Sequence, residues 1–486
     1  MDYDVIVIGG GTAGLTAALT ARHFGSSVAL IEQEARIGGD CAFYGCVPSK
    51  ALIEIARLAH DLRRVQVEGI VDSAPEFDFA AVMHRRARIV DEIAEDERDE
   101  RFTAAGIDVL HARARFTDPH TLEVTDRDGT RTISARRFVI ATGSLPAVPP
   151  IPGLDEVPFL TNKTIFDLER LPGRLAVIGG GAIGLELAQA FRRLGSEVIL
   201  LEVADRLLAK DEPEAGEAIA NVLRDEGIDL RLGANVSAVE RRGDEIILRL
   251  PGGEVACDEL LVAAGRRGLV EELNLPLDVE RGYVKIDRRC QTSLPNIYAA
   301  GDVTGGYQFT HVASHEGRIS GANAAGKRAR LDERVVPWVT FTDPEVAHVG
   351  LTEAEARQRH KRVEVHVFPM SHVDRARIVE RPAGFVKLVS AARPLLGRAG
   401  GGVLVGAQIV GPSAGELIHE CALAIRTRCF AGRLAQTIHA YPTMSVAVQQ
   451  AESQISPVGR VLAPIATKRV HRDDSELCSS AVETEY

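Results

Sequence analysis

Runs of apolar residues separated by glycine turns divide the chain, and one such pattern occurs twice. Residues 5–32 are VIVIGGGTAGLTAALTARHFGSSVALIE, and residues 175–202 are LAVIGGGAIGLELAQAFRRLGSEVILLE. The copies lie 170 residues apart and agree at 14 of 28 positions. Each has an apolar run, three glycines, an amphipathic stretch, a second apolar run and a glutamate. This pattern predicts a strand, a tight turn, a helix and a second strand in each copy, which is a βαβ unit.

The glycines and acids of both copies fit the dinucleotide-binding fingerprint. Glycine permits a tight turn and a close backbone approach to a pyrophosphate, and the helix N-terminus offers unpaired N–H groups to the phosphates. The acid lies 23 residues after the first glycine, where it can bind ribose hydroxyls. The residues concerned are Gly9, Gly11, Gly14 and Glu32 in the first copy, and Gly179, Gly181, Gly184 and Glu202 in the second. Two units predict two dinucleotides, of which a bound flavin and an exchanging nicotinamide are the simplest pair.

Patterns outside the repeat predict the fold class. Three further buried strands end in glycine turns: FVIATGS (138–144), LVAAG (261–265) and NIYAAGDV (296–303). From Trp338 the chain changes to alternating strands and helices, which is typical of an α+β domain. The predicted fold is therefore α/β, with two Rossmann-like dinucleotide-binding domains and a C-terminal α+β domain. The charged run DEIAEDERDER (91–101) is expected to be the solvated face of a long helix.

Composition narrows the possible partners. The 486 residues carry a net charge of −11 without a strongly basic block, which argues against nucleic acid as a partner. No uncharged apolar stretch is long enough to span a membrane. The N-terminus runs directly into a strand pattern without a basic leader, so a cytoplasmic protein is expected.

Two of the seven cysteines are candidates for redox chemistry. Cys41 and Cys46 lie at the start of an apolar-periodic helix, where a close pair can form a disulfide and the helix dipole lowers the thiol pKa. The alternatives are two structural cysteines or half of a zinc site, although no matching second pair of ligands stands out. Cys257, Cys290, Cys421 and Cys429 are scattered and expected in the core. No metal site is predicted.

The motifs together resemble the FAD-dependent pyridine nucleotide–disulfide oxidoreductases, in the branch that holds dihydrolipoamide dehydrogenase and mercuric reductase. The resemblance rests on GGDCAFYGCVPSK (38–50), ATGS, AAGDV, FTHVA and FTDPEVAHVGLT, which occur in this order. It implies a homodimer whose active site is shared between subunits. The implied domains are an FAD domain (1–148 and 271–334), an NAD(P) domain (149–270), an interface domain (335–455) and a flexible tail (456–486).

The resemblance also implies how electrons move. They would pass from NAD(P)H through FAD to a Cys41–Cys46 disulfide. Cys46 matches the thiol that forms a charge-transfer complex with the flavin, and Cys41 matches the thiol that meets the acceptor. Lys50 matches a lysine near the flavin, and Glu186 matches the acid that pairs with this lysine. The repeat supports the second match, because the second copy has Glu186 where the first has Thr16. The alternative for Lys50 and Glu186 is an unrelated surface pair.

A set of residues is expected to bind the two cofactors. It comprises Gly9, Gly11, Thr12, Ala13, Gly14, Glu32, Gly39, Lys50, Ala112, Thr142, Gly143, Ser144, Asp302, His311, Ala313, Gly179, Gly181, Ile183, Gly184, Glu202 and Gly265. Asp302 matches the residue that bonds the ribityl chain, and His311 is expected to hold the cofactor rather than to act as a base. Glu202 would repel a 2′-phosphate, so NADH is expected, with NADP as the alternative because Arg206 lies four residues on.

The acceptor side departs from the disulfide-reducing relatives. They carry HPTxxE near the C-terminus, whereas this chain has Tyr441-Pro442-Thr443-Met444-Ser445-Val446. Tyrosine is a poor base at neutral pH, but mercuric reductase also carries it here. His439 is a candidate substitute base, with a plain loop histidine as the alternative. Mercuric reductases deliver metal through a C-terminal cysteine pair, whereas this tail has only Cys478.

Three hypotheses follow for the activity. The first is an NADH-dependent FAD enzyme that passes two electrons through Cys41–Cys46 to a small acceptor: a metal ion such as Hg(II), a quinone or an unusual disulfide. The second is a dihydrolipoamide dehydrogenase with an altered acid–base residue. The third is a redox sensor or electron-transfer partner with little turnover.

Overall fold

The computed structural model of the chain describes residues 1–70, 72–73, 76–393 and 401–455. The predicted tail, including Cys478, lies outside the described residues. Among those described, no helix is both long and apolar enough to cross a membrane.

The first βαβ copy belongs to a seven-stranded sheet. Its strands β1 and β2 are mostly buried because one face packs on α1 and the other on apolar residues of β4, β5 and β6. The elements up to residue 146 are β1 (Tyr3–Ile8), α1 (Thr12–His23), β2 (Val28–Glu32), α2 (Gly39–Phe43), α3 (Cys46–Val67), α4 (Phe79–Ala94), α5 (Asp99–Ala104), β3 (Ile107–His111), β4 (Arg113–Asp118), β5 (Thr121–Asp126), β6 (Gly129–Ile140) and β7 (Ser144–Pro146). The path through six strands is β3-β2-β1-β6-β5-β4.

The second copy forms a separate four-stranded parallel sheet in the order β10-β9-β8-β14, beside a three-stranded antiparallel sheet. Its elements are β8 (Arg174–Ile178), α6 (Ala182–Leu194), β9 (Glu197–Glu202), α7 (Pro213–Asp225), β10 (Asp229–Leu232), β11 (Ala238–Arg242), β12 (Glu245–Leu250), β13 (Gly253–Cys257) and β14 (Glu259–Val262). In both copies the first two strands pair in parallel, as the repeat predicts.

The chain then returns to the first sheet. The elements of this segment are β15 (Arg266–Gly268), β16 (Val279–Glu280), β17 (Tyr283–Val284), β18 (Ile297–Ala299) and α8 (Thr310–Ala324). Strand β18 pairs in parallel with β6, and α8 packs on α1. The contact between these helices is close: a Cβ atom at Gly317 would lie 2.4 Å from the Ala13 carbonyl oxygen, so only glycine fits.

The remaining residues form a five-stranded antiparallel sheet covered by helices, in the order β19-β20-β23-β22-β21. Its elements are β19 (Pro337–Thr340), β20 (Glu345–Gly350), α9 (Glu353–Arg359), β21 (Val363–Pro369), α10 (Asp374–Ile378), β22 (Phe385–Ala391), β23 (Val403–Gly411), α11 (Ala414–Thr427), α12 (Ala431–Gln436) and α13 (Val446–Ile455). The predicted fold class is thereby confirmed.

Buried ion pairs join this last sheet to the second βαβ unit. Lys387 on β22 is 2% exposed and contacts carboxylates of Glu212, Glu214 and Glu353 at 2.8–3.1 Å. A buried charge that loses its partner is strongly destabilising. These contacts therefore fix how the two parts of the chain are oriented.

The prediction of one long helix over residues 91–101 was wrong. Helix α4 ends at Ala94, a 3₁₀ turn spans residues 95–97, and α5 begins at Asp99. Most side chains of this run are exposed, but one oxygen of Glu97 is buried. The run therefore contributes one carboxylate to the interior.

Candidate active site

One cavity of about 1600 Å³ connects the parts of the chain that the sequence singled out. Both glycine turns, the two helices that carry Cys41 and Cys46, the start of α8 and strand β19 line it. Because the glycine turns lie at the C-terminal ends of parallel strands, the cavity occupies the usual position for a ligand in an α/β fold.

The first glycine turn can hold a pyrophosphate. A Cβ atom at Gly9 would lie 2.2 Å from the Ala141 carbonyl oxygen, and one at Gly14 would lie 1.8 Å from the Gly9 carbonyl oxygen. These glycines let strand and helix pack closely. Helix α1 begins after Gly11 with no side chain capping its first N–H groups and no acid in its first turn. The free donors and the positive end of the helix suit a phosphate.

The second turn repeats this geometry. A Cβ atom at Gly179 would lie 2.4 Å from the Ala263 carbonyl oxygen, and one at Gly184 would lie 1.9 Å from the Gly179 carbonyl oxygen. Helix α6 begins after Gly181, again without a capping side chain or an acid in the first turn. The residues present therefore fit two dinucleotides, one at each turn.

The two fingerprint acids are fixed by matching hydrogen bonds. Glu32 accepts from the backbone N–H of Gly10 at 2.7 Å and of Glu34 at 2.9 Å. Glu202 accepts from Gly180 at 2.5 Å and Ala204 at 2.7 Å. Each carboxylate oxygen has a second lone pair. Both acids can therefore still accept hydrogen bonds from a ribose.

The structure places nearly all the expected cofactor-binding residues at the cavity. Those lining it are Gly9, Gly11, Thr12, Ala13, Glu32, Gly39, Lys50, Ala112, Thr142, Gly143, Ser144, Asp302, His311, Ala313, Gly179, Gly181, Ile183, Glu202 and Gly265. Gly14 and Gly184 do not line it. Their part is indirect, because they bring each helix onto its strand.

The two candidate redox thiols lie together at the cavity wall. Cys41 is on the short helix α2, Cys46 opens α3, and both thiols are free. The hydroxyl of Thr310, at the start of α8, is 3.1 Å from Cys41 Sγ and 3.3 Å from Cys46 Sγ. The sequence places Thr310 in the FTHVA motif of the cofactor-binding segment but predicts no contact between it and the cysteines. Thr310 is 269 and 264 residues from the two cysteines, so no local signal could have identified this contact.

The surroundings of the two thiols shift their pKa values in opposite directions. A hydrogen bond from Cys41 lowers the pKa of Cys46 to about 6, with further lowering by Thr310 and the nearby Lys50 charge. The same hydrogen bond, together with burial, raises the pKa of Cys41. At neutral pH Cys46 is therefore the thiolate and Cys41 holds the proton.

Lys50 and Glu186 form an ion pair beside these thiols. Lys50 Nζ lies 2.8 Å from Glu186 Oε2, and the Glu186 side chain is only 5% exposed. The other oxygen of Glu186 accepts the backbone N–H of Phe341 at 2.8 Å, and the Phe341 ring lies under the lysine ammonium at 4.7 Å. One carboxylate thus links α6, the redox helix α3 and the turn after β19.

The comparisons with known proteins agree with this geometry. Residues 3–317 match the family model described as pyridine nucleotide-disulphide oxidoreductase, and residues 336–452 match the dimerisation domain of the same proteins. This chain belongs to that family. The members are flavoproteins, so the chain uses FAD and NAD(P), and it is an oxidoreductase acting on a disulfide or a metal ion.

Several members of the family are similar to this chain over most of their length. A mercuric reductase from Bacillus cereus is 37% identical over 453 residues, covering 91% of this chain and 70% of that protein. A mercuric reductase from Streptomyces lividans is 37% identical over 460 residues, covering 92% and 95%. The Cu(II) complex of the HOCl-induced flavoprotein disulfide reductase RclA from Escherichia coli has a TM-score of 0.83 at 30% identity, covering 94% of this chain and all of that one.

His311 and Asp302 are tied into the protein at the wall of the cavity. His311 Nε2 lies 2.8 Å from the Pro337 carbonyl oxygen, and burial lowers the pKa of the ring. Ser144 donates to Asp302 at 2.6 Å, and Arg266 lies 3.4 Å from the same carboxylate. These contacts suit residues that position a cofactor.

The candidate acid–base groups of the oxidoreductase lie away from the cavity of their own chain. Tyr441 is 73% exposed and donates to Asp374 at 2.9 Å, and this carboxylate raises the pKa of the phenol. His439 contacts the Thr437 carbonyl oxygen at 2.9 Å and the Glu420 carboxylate at 3.0 Å. Both His439 ring nitrogens are engaged. The structure does not test His439 as a substitute base, which stays a prediction.

The other cysteines within the described part of the chain offer no second site. Cys257, Cys290 and Cys421 are buried and Cys429 is half-buried. Over the described ranges, no cluster of three or more histidine, cysteine or acidic side chains could hold a metal ion. The alternative that Cys41 and Cys46 are half of a zinc site therefore finds no further ligands.

Proposed function

We propose that this oxidoreductase reduces a soft metal ion at the expense of NADH, with Hg(II) as the substrate that its thiol pair fits best. The observation that carries the proposal is the thiol pair itself, held together by one hydroxyl, while neither Tyr441 nor His439 of the same chain is among the described residues that line the cavity. The balanced reaction is NADH + Hg²⁺ → NAD⁺ + H⁺ + Hg⁰. The bound flavin supplies the two-electron link between NADH and the disulfide.

Two thiolates are the right ligands for such an ion. Soft metals prefer sulfur, and Hg(II) is satisfied by two sulfur ligands in a line, so it needs no third side chain. Thr310 contacts both sulfur atoms and can hold them in place while the ion binds. Mercuric reductases are among the similar proteins, and RclA has been solved as its Cu(II) complex.

Disulfide acceptors are disfavoured by the groups around Tyr441. Thiol–disulfide exchange needs a proton donor for the leaving thiolate. Tyr441 has a raised pKa, Val446 replaces the usual orienting acid, and His439 is held by its own chain. A metal ion is reduced without a leaving thiolate. Its reduction therefore needs no histidine–glutamate acid–base pair of the kind that the disulfide-reducing relatives carry.

NADH is the proposed electron donor. Glu202 places a fixed negative charge at the end of β9, where a 2′-phosphate would lie. Arg206 does not offset this charge, because its guanidinium donates to the carbonyl oxygens of Ala209 and Asp211. We propose further that two chains associate through the dimerisation domain. Tyr441 of one protomer would then approach the thiol pair of its partner.

The experiment is an anaerobic assay of NADH oxidation with Hg(II) and excess low-molecular-weight thiol, with loss of volatile Hg(0) measured in parallel. We expect one Hg(0) per NADH and no activity in Cys41→Ser, while Cys257→Ser, a buried cysteine away from the cavity, serves as the matched control. Cu(II), quinones and lipoamide are tested alongside. Turnover of about 100 per second or more with dihydrolipoamide and NAD⁺ would instead support the dehydrogenase, and stoichiometric oxidation without recycling would support the low-turnover sensor.

A further inference from the structure

Asp40 connects the two redox cysteines to the second βαβ unit. It lies on α2 directly before Cys41 and belongs to the thiol loop, which we define as residues 40–46. One oxygen of its carboxylate forms an ion pair with Arg266 at 3.1 Å, and the other accepts a hydrogen bond from the Asn162 side chain at 3.3 Å. Both oxygens of Asp40 are therefore held by residues that are distant in the sequence.

These two partners lie where the chain crosses between the first and the second βαβ unit. Asn162 lies in the segment that leads from β7 to β8, and β8 is the first strand of the four-stranded sheet. Arg266 is the first residue of β15, which follows β14, the last strand of that sheet. The outgoing and the returning segments therefore meet at one carboxylate of the thiol loop.

Asn162 holds the thiol loop at two points. The residue is only 6% exposed, and its amide also donates to the Tyr44 carbonyl oxygen at 3.1 Å. The Asp40 and Tyr44 partners are both acceptors, so both contacts require the NH₂ group of the amide. Asp40 directly precedes Cys41, and Tyr44 lies two residues before Cys46. One side chain thus restrains the loop beside both thiols.

Arg266 is a fixed anchor for the other carboxylate oxygen. Its side chain is 12% exposed, and the guanidinium donates to the hydroxyl and the carbonyl oxygen of Ser144 at 2.7 and 3.1 Å. Its Nε atom also lies 3.4 Å from the Asp302 carboxylate. A planar guanidinium with several fixed partners cannot follow Asp40 if the thiol loop moves. Movement of the loop therefore breaks this ion pair.

We propose that Asp40 and Asn162 are positioning residues, which hold the two thiols close together in the reduced enzyme. A restrained loop raises the effective concentration of one thiol at the other, and this favours the disulfide over the dithiol. Thr310 contacts the sulfur atoms themselves, whereas these two residues restrain the loop that carries them. The inference goes beyond the proposed function, because it concerns the thiol pair alone and holds for any acceptor.

The test is the redox equilibrium between the thiol pair and glutathione in the FAD-bound enzyme, measured without oxygen. The reaction is enzyme dithiol + GSSG ⇌ enzyme disulfide + 2 GSH, and acid quenching, alkylation and mass spectrometry measure both enzyme forms. We expect the equilibrium constant to fall about tenfold in Asp40→Asn and about threefold in Asn162→Ala, because each change frees part of the loop. Asp155→Asn, which changes an exposed acid in the same crossing segment as Asn162, should keep the native constant.

Asn162→Ala separates positioning from charge, because it leaves the net charge of the protein unchanged. If the constant falls in Asp40→Asn but not in Asn162→Ala, the charge of Asp40 acts on the thiols and the proposal is refuted. An unchanged constant in both variants also refutes it. If Asp40→Asn does not retain FAD, the comparison of Asn162→Ala with the native enzyme decides. Glutathione replaces the metal ion here, so a failure to reduce Hg(II) would refute the proposed function and leave this result standing.

Discussion

Replacing Lys50 should damage the protein more than neutralising its partner Glu186. The ion pair is 2.8 Å long and asymmetric, since the Lys50 side chain is 34% exposed and that of Glu186 only 5%. Lys50→Met leaves a buried carboxylate beside an apolar side chain. Glu186→Gln removes that charge and keeps an oxygen for the Phe341 N–H, while water can still reach the lysine.

The structure sets the size of the difference. At 2.8 Å and an effective dielectric constant of about 20, the attraction is about 6 kcal/mol, most of which offsets the desolvation of Glu186. Breaking a fully buried pair costs about 3–5 kcal/mol. Because Lys50 is one-third exposed, we expect a loss of about 2 kcal/mol for Lys50→Met and about 1 kcal/mol for Glu186→Gln.

Urea unfolding, at one protein concentration and with excess FAD, measures these losses through flavin fluorescence and circular dichroism. The decisive variant is the double mutant Lys50→Met/Glu186→Gln. It should be more stable than Lys50→Met alone, because it no longer buries an unpaired charge. If the second substitution lowers stability further, or if Glu186→Gln is the more damaging single change, the charge argument is wrong.

Three further predictions concern the chemistry. In the two-electron-reduced enzyme the thiolate–flavin charge-transfer absorbance should persist above about pH 6 and fade as acidification protonates Cys46. The absorbance should vanish in Cys46→Ser. If it remains in that variant, the assignments of the two thiols are reversed. Glu202→Gln should lower the NADH-over-NADPH preference in kcat/KM about tenfold, as loss of one repulsive charge implies, and an unchanged ratio would show that Glu202 does not face the 2′ position. Tyr441→Phe should slow the oxidation of prereduced enzyme by the acceptor, measured by stopped flow. If only the rate of enzyme reduction by NADH falls, Tyr441 does not act on the acceptor side.

Much of the fold could be predicted because the sequence patterns that specify it lie within short segments of the chain. The glycine positions of the repeat follow from a turn, a helix start and a close strand contact that all lie within 28 residues. The two copies therefore have the same turn geometry and the same acid contacts in the structure. The Lys50–Glu186 contact came from the family resemblance, supported by the position at which the second copy has Glu186 where the first has Thr16.

The residues that were missed depend on contacts between distant segments. Thr310 reaches the thiols because α8 begins where α2 and α3 meet, which no sequence spacing encodes. Glu97 lies in a run so charged that its composition predicts a solvated helix, and its burial comes from the break between α4 and α5. The hydrogen bond from Tyr441 to Asp374 joins residues 67 positions apart. In each case the side chain type is ordinary, and only the folded structure shows which residues surround it.

The divergence of the two βαβ copies explains how one fold unit serves two purposes. In the first copy, α1 is covered by α8 through glycines, and Thr16 donates to the Thr12 carbonyl oxygen of its own helix. Close backbone packing makes that unit a rigid platform. In the second copy, α6 packs on α3, and Glu186, at the position aligned with Thr16, reaches Lys50 on the redox helix. One substitution on a duplicated helix thus places a charge beside the redox helix, where Lys50 lowers the pKa of Cys46 and Glu186 raises it. The two copies share the nucleotide-binding turn and differ in the helix that packs on them, which is α8 in the first copy and α3 in the second. Only the second copy therefore contacts the redox helix through this position.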